Sequence, residues 1–271
     1  MFRDFHHSGK ILVLPNAWDV PSARMFEQTG FPAVATSSAA MMVSLGYPDG
    51  EAIPRDEYLR TVRKIADLLS VPLTVDAAAG FGRTPVEVAR TAKAVIRAGG
   101  IGMNIEDFDH QTKKLFDLGL QLRKIKAVKK VGEELKVPVV INARTDALRF
   151  APGDEASKMS EAISRSTAFR DAGADCLYPM GLVSHDSIRE FVRSVRFPVN
   201  VMVRDGLPPV KTLQRLGVAR VSFGPYASYA AMGLLKRISR EVLEKGTYNS
   251  LLDGAVTFDE LNSLAMPKGS S

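Results

Sequence analysis

Cysteine is all but missing from this chain: its 271 residues include one, Cys176. An internal disulfide is therefore excluded, and the usage fits a reducing cytoplasm. The lone thiol reads as a small buried apolar residue rather than a nucleophile. Histidines number four, and aromatics make up 7% with a single tryptophan. No H-x-H, H-E-x-x-H or cysteine cluster supports a zinc site. No G-x-S-x-G supports a serine hydrolase, and no G-x-G-x-x-G follows the first apolar run to hold a dinucleotide. No apolar run approaches the roughly 18–20 residues of a membrane span. The opening MFRDFHHSGK has no apolar core of the signal-peptide kind. No low-complexity linker splits the chain.

What is present is ordinary globular composition, 45% hydrophobic and 24% charged. The net charge is +6. Basic residues are spread along helical stretches, as Arg60, Arg63 and Lys64 or Lys124, Lys126, Lys129 and Lys130, and read as solvated faces. Without an aromatic-rich basic motif, nucleic acid is not an expected partner. The positive balance suits a small anionic substrate.

Short apolar runs alternate with longer amphipathic ones. The candidate strands are residues 11–17, 33–37, 73–77, 102–106, 139–144, 176–179, 199–203 and 219–223. Most are rich in β-branched residues, as buried parallel strands tend to be. Leu115, Leu118, Leu122, Ile125, Val128, Val131 and Leu135 recur every three or four positions and mark one helix face. Thr84-Pro85-Val86-Glu87 reads as a capping box with proline at the first helical position, and Asp154 as a helix N-cap. Val71-Pro72, Val137-Pro138 and Phe197-Pro198 each introduce a strand, because proline cannot continue a helix. Eight such units predict an α/β fold of the (β/α)8 TIM-barrel class in one domain over residues 1–250. Residues 251–271 form a helical extension whose MPKGSS end reads as a frayed terminus.

Barrel chemistry sits at the C-terminal ends of strands. In strand order those ends carry Asn16, Trp18 and Asp19; Ser37 and Ser38, with Asp49 in the following loop; Asp76; Glu106 and Asp107; Arg144, Thr145 and Asp146; Asn200; and Ser222. Asp76, Glu106 and Arg144 thus converge on one mouth. Buried charges are costly unless paired or bound to a metal. One reading is an ion-pair network with both acids bridged to Arg144. The other is a hard divalent cation on Asp76 and Glu106 beside an anion gripped by Arg144. Mg²⁺, or Mn²⁺, suits the second, since Mg²⁺ keeps several waters and needs only one or two carboxylates. Ser37, Ser38 and nearby backbone N–H groups could hold a second anionic group. His6, His7 and His110 read as surface residues, and His185 as a helix cap.

The segments LPNAWDVPSA, TSSAAMMVSLGYPDG, VDAAAGFG, NIEDFD, NARTDA, AGADCLYP, FPVNVM and LGVARVSFG follow one another. In that order they resemble the isocitrate lyase/phosphoenolpyruvate mutase superfamily, from about Phe5 to about Tyr248. The resemblance implies a (β/α)8 barrel, often with the last helix exchanged between subunits of a homodimer or homotetramer. It implies Mg²⁺, a 2-oxo or 2-hydroxy carboxylate, and cleavage or formation of a C–C or P–C bond through an enolate. It assigns Asp76 and Glu106 to the metal and Arg144 to the substrate carboxylate or oxo group. Ser37, Ser38 and Ala39 become the gripping loop, lined by Trp18. Asp49 becomes an acid near the reacting centre, and Asn200 and Ser222 further substrate contacts.

Two departures stand out. The superfamily usually reads D-x-[DE]-x-G-[YF]-G where this chain has Ala78 at the second acidic position. Loss of one charge-assisted contact costs roughly 1.5–3 kcal/mol, about 10- to 150-fold in affinity. The K-[KR]-C-G-H lid of citrate-type lyases is replaced by DFDHQTKKLFDLG, with no cysteine. This argues against isocitrate or methylisocitrate cleavage by the usual route and favours oxaloacetate-like decarboxylation or C–C cleavage. Lys113, Lys114, His110 or water would then supply the proton. Phosphonopyruvate-type P–C chemistry is the alternative, and a non-catalytic 2-oxo-acid binder a third reading.

Overall fold

The computed structural model describes residues 2–266. The residues 267–271 of the expected tail lie outside it. The strands follow the predicted runs: residues 102–106 and 176–179 as expected, 139–144 displaced by one position, and the others shorter. They are β1 (Leu12–Leu14), β2 (Asn16–Ala17), β3 (Val34–Thr36), β4 (Leu73–Asp76), β5 (Gly102–Glu106), a small antiparallel hairpin of β6 (Phe108–Asp109) and β7 (Lys114–Leu115), β8 (Val140–Thr145), β9 (Cys176–Pro179), β10 (Asn200–Met202) and β11 (Arg220–Ser222). Helices cross between them: α1 (Val20–Gln28), α2 (Ser38–Ser44), α3 (Arg55–Leu68), α4 (Pro85–Arg97), α5 (Leu118–Glu134), α6 (Ala147–Phe150), α7 (Glu155–Asp171), α8 (His185–Val195), α9 (Val210–Arg215) and α10 (Tyr226–Lys245), followed by α11 (Asn249–Leu252) and α12 (Phe258–Ser263).

The expected eight-strand ladder is split into two parallel runs, β2-β3-β4-β5-β8-β9 and β1-β11-β10. Prolines stand at both seams. Pro15 separates β1 from β2, having no N–H to donate, though its carbonyl accepts from Ala35 N at 2.8 Å. At the other seam Leu177 and Val199 form a lone parallel bridge, and Leu177 N donates to the Pro198 carbonyl at 2.9 Å. The sequence gives no sign of these gaps, because each run carries the same apolar pattern.

Strand side chains alternate between two separate clusters, as the period of two requires. Val34, Val75, Met103, Ile105, Ile141 and Val221 pack outward against the helices. Leu12, Leu14, Ala33, Ala35 and Val140 face inward around Phe2, which leads into a 3₁₀ turn at Arg3–His6. That turn buries His6, expected at the surface, against the Phe2 ring at 5.3 Å.

Local signals explain the helix starts. Thr84 and Glu87 form the expected capping box on α4, and Asp154 caps α7. Ser184, not His185, caps α8, and His185 is engaged with Arg189 and Asp186 on the exposed side. Lys124 departs from its expected solvated face: it is fully buried on α5, its ammonium 3.9 Å from the centre of the Phe116 ring. No helix of the described residues is long and apolar enough to cross a membrane.

Candidate active site

The C-terminal ends of the parallel strands surround a cavity of about 270 Å³. Its lining includes Ser37, Ser38, Ala39, Asp49, Asp76, Glu106, Arg144 and Ser222, so most of the expected residues do meet. Two do not reach it. Trp18 packs against the outer hydrophobic cluster. Asn200 lies beneath the floor, fully buried, and donates from Nδ2 to Ser222 Oγ at 3.1 Å.

Asp76 ends β4 in a fixed pose. Its backbone N donates to Thr36 Oγ1 at 2.8 Å, and its carbonyl accepts from Tyr58 OH at 2.6 Å. Its Oδ2 accepts from Ser38 N at 3.0 Å and Ser38 Oγ at 2.8 Å. Ser38 is therefore committed to Asp76 rather than free for a substrate anion. Ser37 caps α2 through a 3.4 Å contact from Ala40 N. Asp76 Oδ1 takes only a 3.4 Å contact from Ala78 N, so it keeps unused lone pairs.

Glu106 and Arg144 are register partners on β5 and β8. Arg144 Nη1 donates to Glu106 Oε2 at 2.8 Å. Its Nε and Nη2 form a two-pronged contact with Asp146, at 2.7 and 2.9 Å. The expected bridge from Arg144 to Asp76 is absent among the described ion pairs; Asp146 takes its place. Burial opposes the Arg144 charge, but Glu106 and Asp146 outweigh it and hold the guanidinium charged. Asp107 is no substitute for the missing strand-end acid. It turns away from the cavity, accepting from Thr145 Oγ1 at 2.8 Å, Asp146 N at 2.9 Å and Arg165 Nη1 at 3.2 Å. Burial pushes its carboxyl up to about 6.

His110 corrects its expected surface position. Its ring is 17% exposed, lines the cavity, and meets Glu106 Oε1 through Nε2 at 2.5 Å. Burial disfavours its charge, but the hydrogen bond and charge of Glu106 prevail and raise its pKa. Lys113 and Lys114, expected beside it as proton donors, are exposed and outside the cavity lining. Cys176 is buried, which pushes its thiol up to about 12, as a packing residue requires. Arg149, Tyr178 and Arg204 also line the cavity and were not anticipated. Arg149 was legible in principle: it lies one turn after Asp146 and donates to it at 3.0 Å.

An α/β scaffold with acids and a locked arginine at the C-terminal ends of its parallel strands places the cavity where barrel-like enzymes build their sites. The profile of the phosphoenolpyruvate phosphomutase family matches residues 2–243. A protein of Mycobacterium tuberculosis without an assigned role is 35% identical over 242 residues, covering 88% of both chains. The 2-methylisocitrate lyase of Escherichia coli K12 is 32% identical over 251 residues, covering 88% of this chain and 82% of the relative. The structure of oxaloacetate acetylhydrolase in complex with the product oxalate superposes with a TM-score of 0.86 at 26% identity, covering 97% of this chain and 92% of that one. The chain belongs to the phosphoenolpyruvate phosphomutase family, within the isocitrate lyase/phosphoenolpyruvate mutase superfamily.

Proposed function

We propose that the chain is a divalent-cation-assisted carbon–carbon lyase that acts on a small 2-oxo acid, by decarboxylation or cleavage beside the carbonyl. The carrying observation is Arg144, held by Glu106 and Asp146 with its face toward the same cavity that Asp76 lines. The donor chemistry fits a hard cation: Asp76 and Glu106 are oxygen donors, Asp76 Oδ1 retains unused lone pairs, and each Glu106 oxygen keeps one beside its contact with Arg144 or His110. Asp76 and Glu106 are the residues that would hold it. Bound there, Mg²⁺ or Mn²⁺ would supply Lewis-acid polarisation of the oxo group.

The chain's own residues would do the rest. Arg144 would hold the substrate carboxylate through the N–H groups that Glu106 and Asp146 leave free. Cleavage of the C–C bond leaves its electron pair on the carbon next to the carbonyl, as an enolate. His110, which lines the cavity with its Nε2 on Glu106, would return a proton to that carbon. The hairpin of β6 and β7 contributes His110 to the cavity wall. Phosphonopyruvate-type P–C chemistry is a second reading, favoured by the family profile itself and by Asp49 at the cavity edge. We further propose that the two strand runs act as one closed barrel, that the protein is cytoplasmic, as its single buried thiol suggests, and that its C-terminal helices pair with a second copy.

The test is a thermal-shift titration with Mg²⁺, with and without oxaloacetate, pyruvate, 2-oxoglutarate or phosphonopyruvate, followed by product analysis. Stabilisation by an oxo acid that needs Mg²⁺, with turnover, supports the reading. Asp76→Ala should abolish metal-dependent turnover. A fully active Asp76→Ala protein would remove the metal assignment, and ligand stabilisation without product would leave only a binder.

A further inference from the structure

Beneath the floor of the cavity lies an arginine with nothing to hold. Arg220 begins β11 and is fully buried, and its Nε, Nη1 and Nη2 all lack a hydrogen-bond partner among the described residues. Its register partners are Leu12 on one side and Asn200 on the other. Leu12 belongs to the inward cluster, and Ser222, two residues further along the same face, lines the substrate cavity. Val221 between them packs outward with the helices. The guanidinium therefore points into the interior of the strand ring, one layer below the substrate.

A guanidinium does not deprotonate in a protein, and a buried charge without a counter-charge is among the costliest arrangements a fold can carry. No described carboxylate forms an ion pair with Arg220; Asp76 and the Cys176 and Tyr178 side chains affect it only through space. Neutral waters could satisfy its N–H groups but not its charge. Asn200 stands beside it with its Oδ1 unpartnered, and Asn142 in the same interior likewise leaves Oδ1 unpartnered. Turning the Asn200 amide over would let the Ser222 hydroxyl donate to Oδ1 and would turn the amide N–H pair to the side that Oδ1 now occupies.

We infer that Arg220, with the Asn200 amide, holds a small monovalent anion of the halide class inside the barrel, directly under the substrate site. The anion neutralises the arginine and, through Asn200 and Ser222, firms the floor on which substrate rests. It is distinct from the substrate cavity and does not depend on the reaction assigned there.

Melting temperature is measured in chloride, bromide and gluconate at one ionic strength, for the wild type and for Arg220→Met, and wild-type crystals soaked in bromide are examined for anomalous scattering. A specific anion raises stability in proportion to the logarithm of its concentration above Kd. Expected are a rise of a few degrees in halide over gluconate, loss of that difference in Arg220→Met, and a bromide peak against the guanidinium. Methionine keeps the volume and removes the charge, a change buried sites often tolerate. Should the variant fail to fold, the wild-type titration and the bromide map decide. Indifference to the anion, a halide effect that survives in the variant, or a map with water alone beside Arg220 would each overturn the inference.

Discussion

Ala78 is the residue at which this chain leaves its superfamily's pattern, and its backbone makes the substitution more telling. It adopts a φ of +48°, in the left-handed region that disfavours a residue with a Cβ and that Asp or Asn visits more readily. Its carbonyl accepts from Glu106 N at 2.9 Å, so the unusual turn is held by the neighbouring strand's acid. The side chain lines the cavity beside Asp76. The conformation suited to a short acidic side chain persists although the acid is gone. Ala78→Asp should therefore fit without backbone change and tighten Mg²⁺ about 10-fold or more, by restoring one charge-assisted contact. Calorimetric titration of Mg²⁺ into both proteins measures this directly. An unchanged Kd would show that this position does not reach the cation.

At the scale of elements, the hairpin of β6 and β7 is what brings His110 to the cavity. Asp109 organises its turn, accepting from Gln111 N at 3.0 Å and from Arg83 Nη2 at 2.6 Å. Phe108 stacks on Phe150 with ring centres 4.3 Å apart, and His110 reaches down to Glu106. The Arg83 side chain is half exposed, so its ion pair contributes at most about 1 kcal/mol. Arg83→Ala should raise KM for the oxo acid by up to about 5-fold, leave kcat nearly unchanged, and speed amide exchange over residues 108–115. Protected amides in the variant would mean that Phe108 and His110 suffice to hold the hairpin. Legibility in the sequence also divides at this scale. Asp76, Glu106 and Arg144 could be placed because each ends an apolar run, and strand ends converge whatever the loops do. His110 could not, because its burial comes from a hairpin fold stabilised by Asp109 and Arg83, which are 26 residues apart in sequence. Asn200 and Trp18 failed for two other reasons. Asn200 is on the interior face but opens β10, in register with Arg220, so it lies a layer below the cavity, whereas the Trp18 side chain packs outward, and a shift of one position flips the face. The seams at Pro15 and Pro198 were equally invisible, since Pro15 fell inside the expected strand of residues 11–17 and Pro198 was read only as a marker of strand entry.

For the whole molecule, the part beyond the last strand is the least consistent with a chain that lives alone. The α10 helix runs for 20 residues without burying one of them. Tyr229, Met232 and Leu235 recur along it at three-residue spacing and are each more than half exposed, while Leu243 is 85%, Leu252 74% and Phe258 77% exposed. Monomeric proteins rarely leave apolar patches larger than a few hundred Å² uncovered. The arm is also continuous with the site, since Tyr226 and Tyr229 at its start line the substrate cavity. A second copy seated on it would bury the patch and wall the cavity mouth in one step, which couples assembly to substrate retention. Light scattering on the purified protein should therefore give a dimer or tetramer, with a melting temperature that rises with protein concentration. The combined Leu243→Asp, Leu252→Asp and Phe258→Asp protein should be monomeric and folded, since none of the three is part of the core, and its melting temperature should no longer depend on concentration. Its KM for the oxo acid should rise because Tyr226 and Tyr229 lose the surface that steadies them. A wild-type monomer at micromolar concentration would instead leave the exposed face without a partner and detach it from the chemistry.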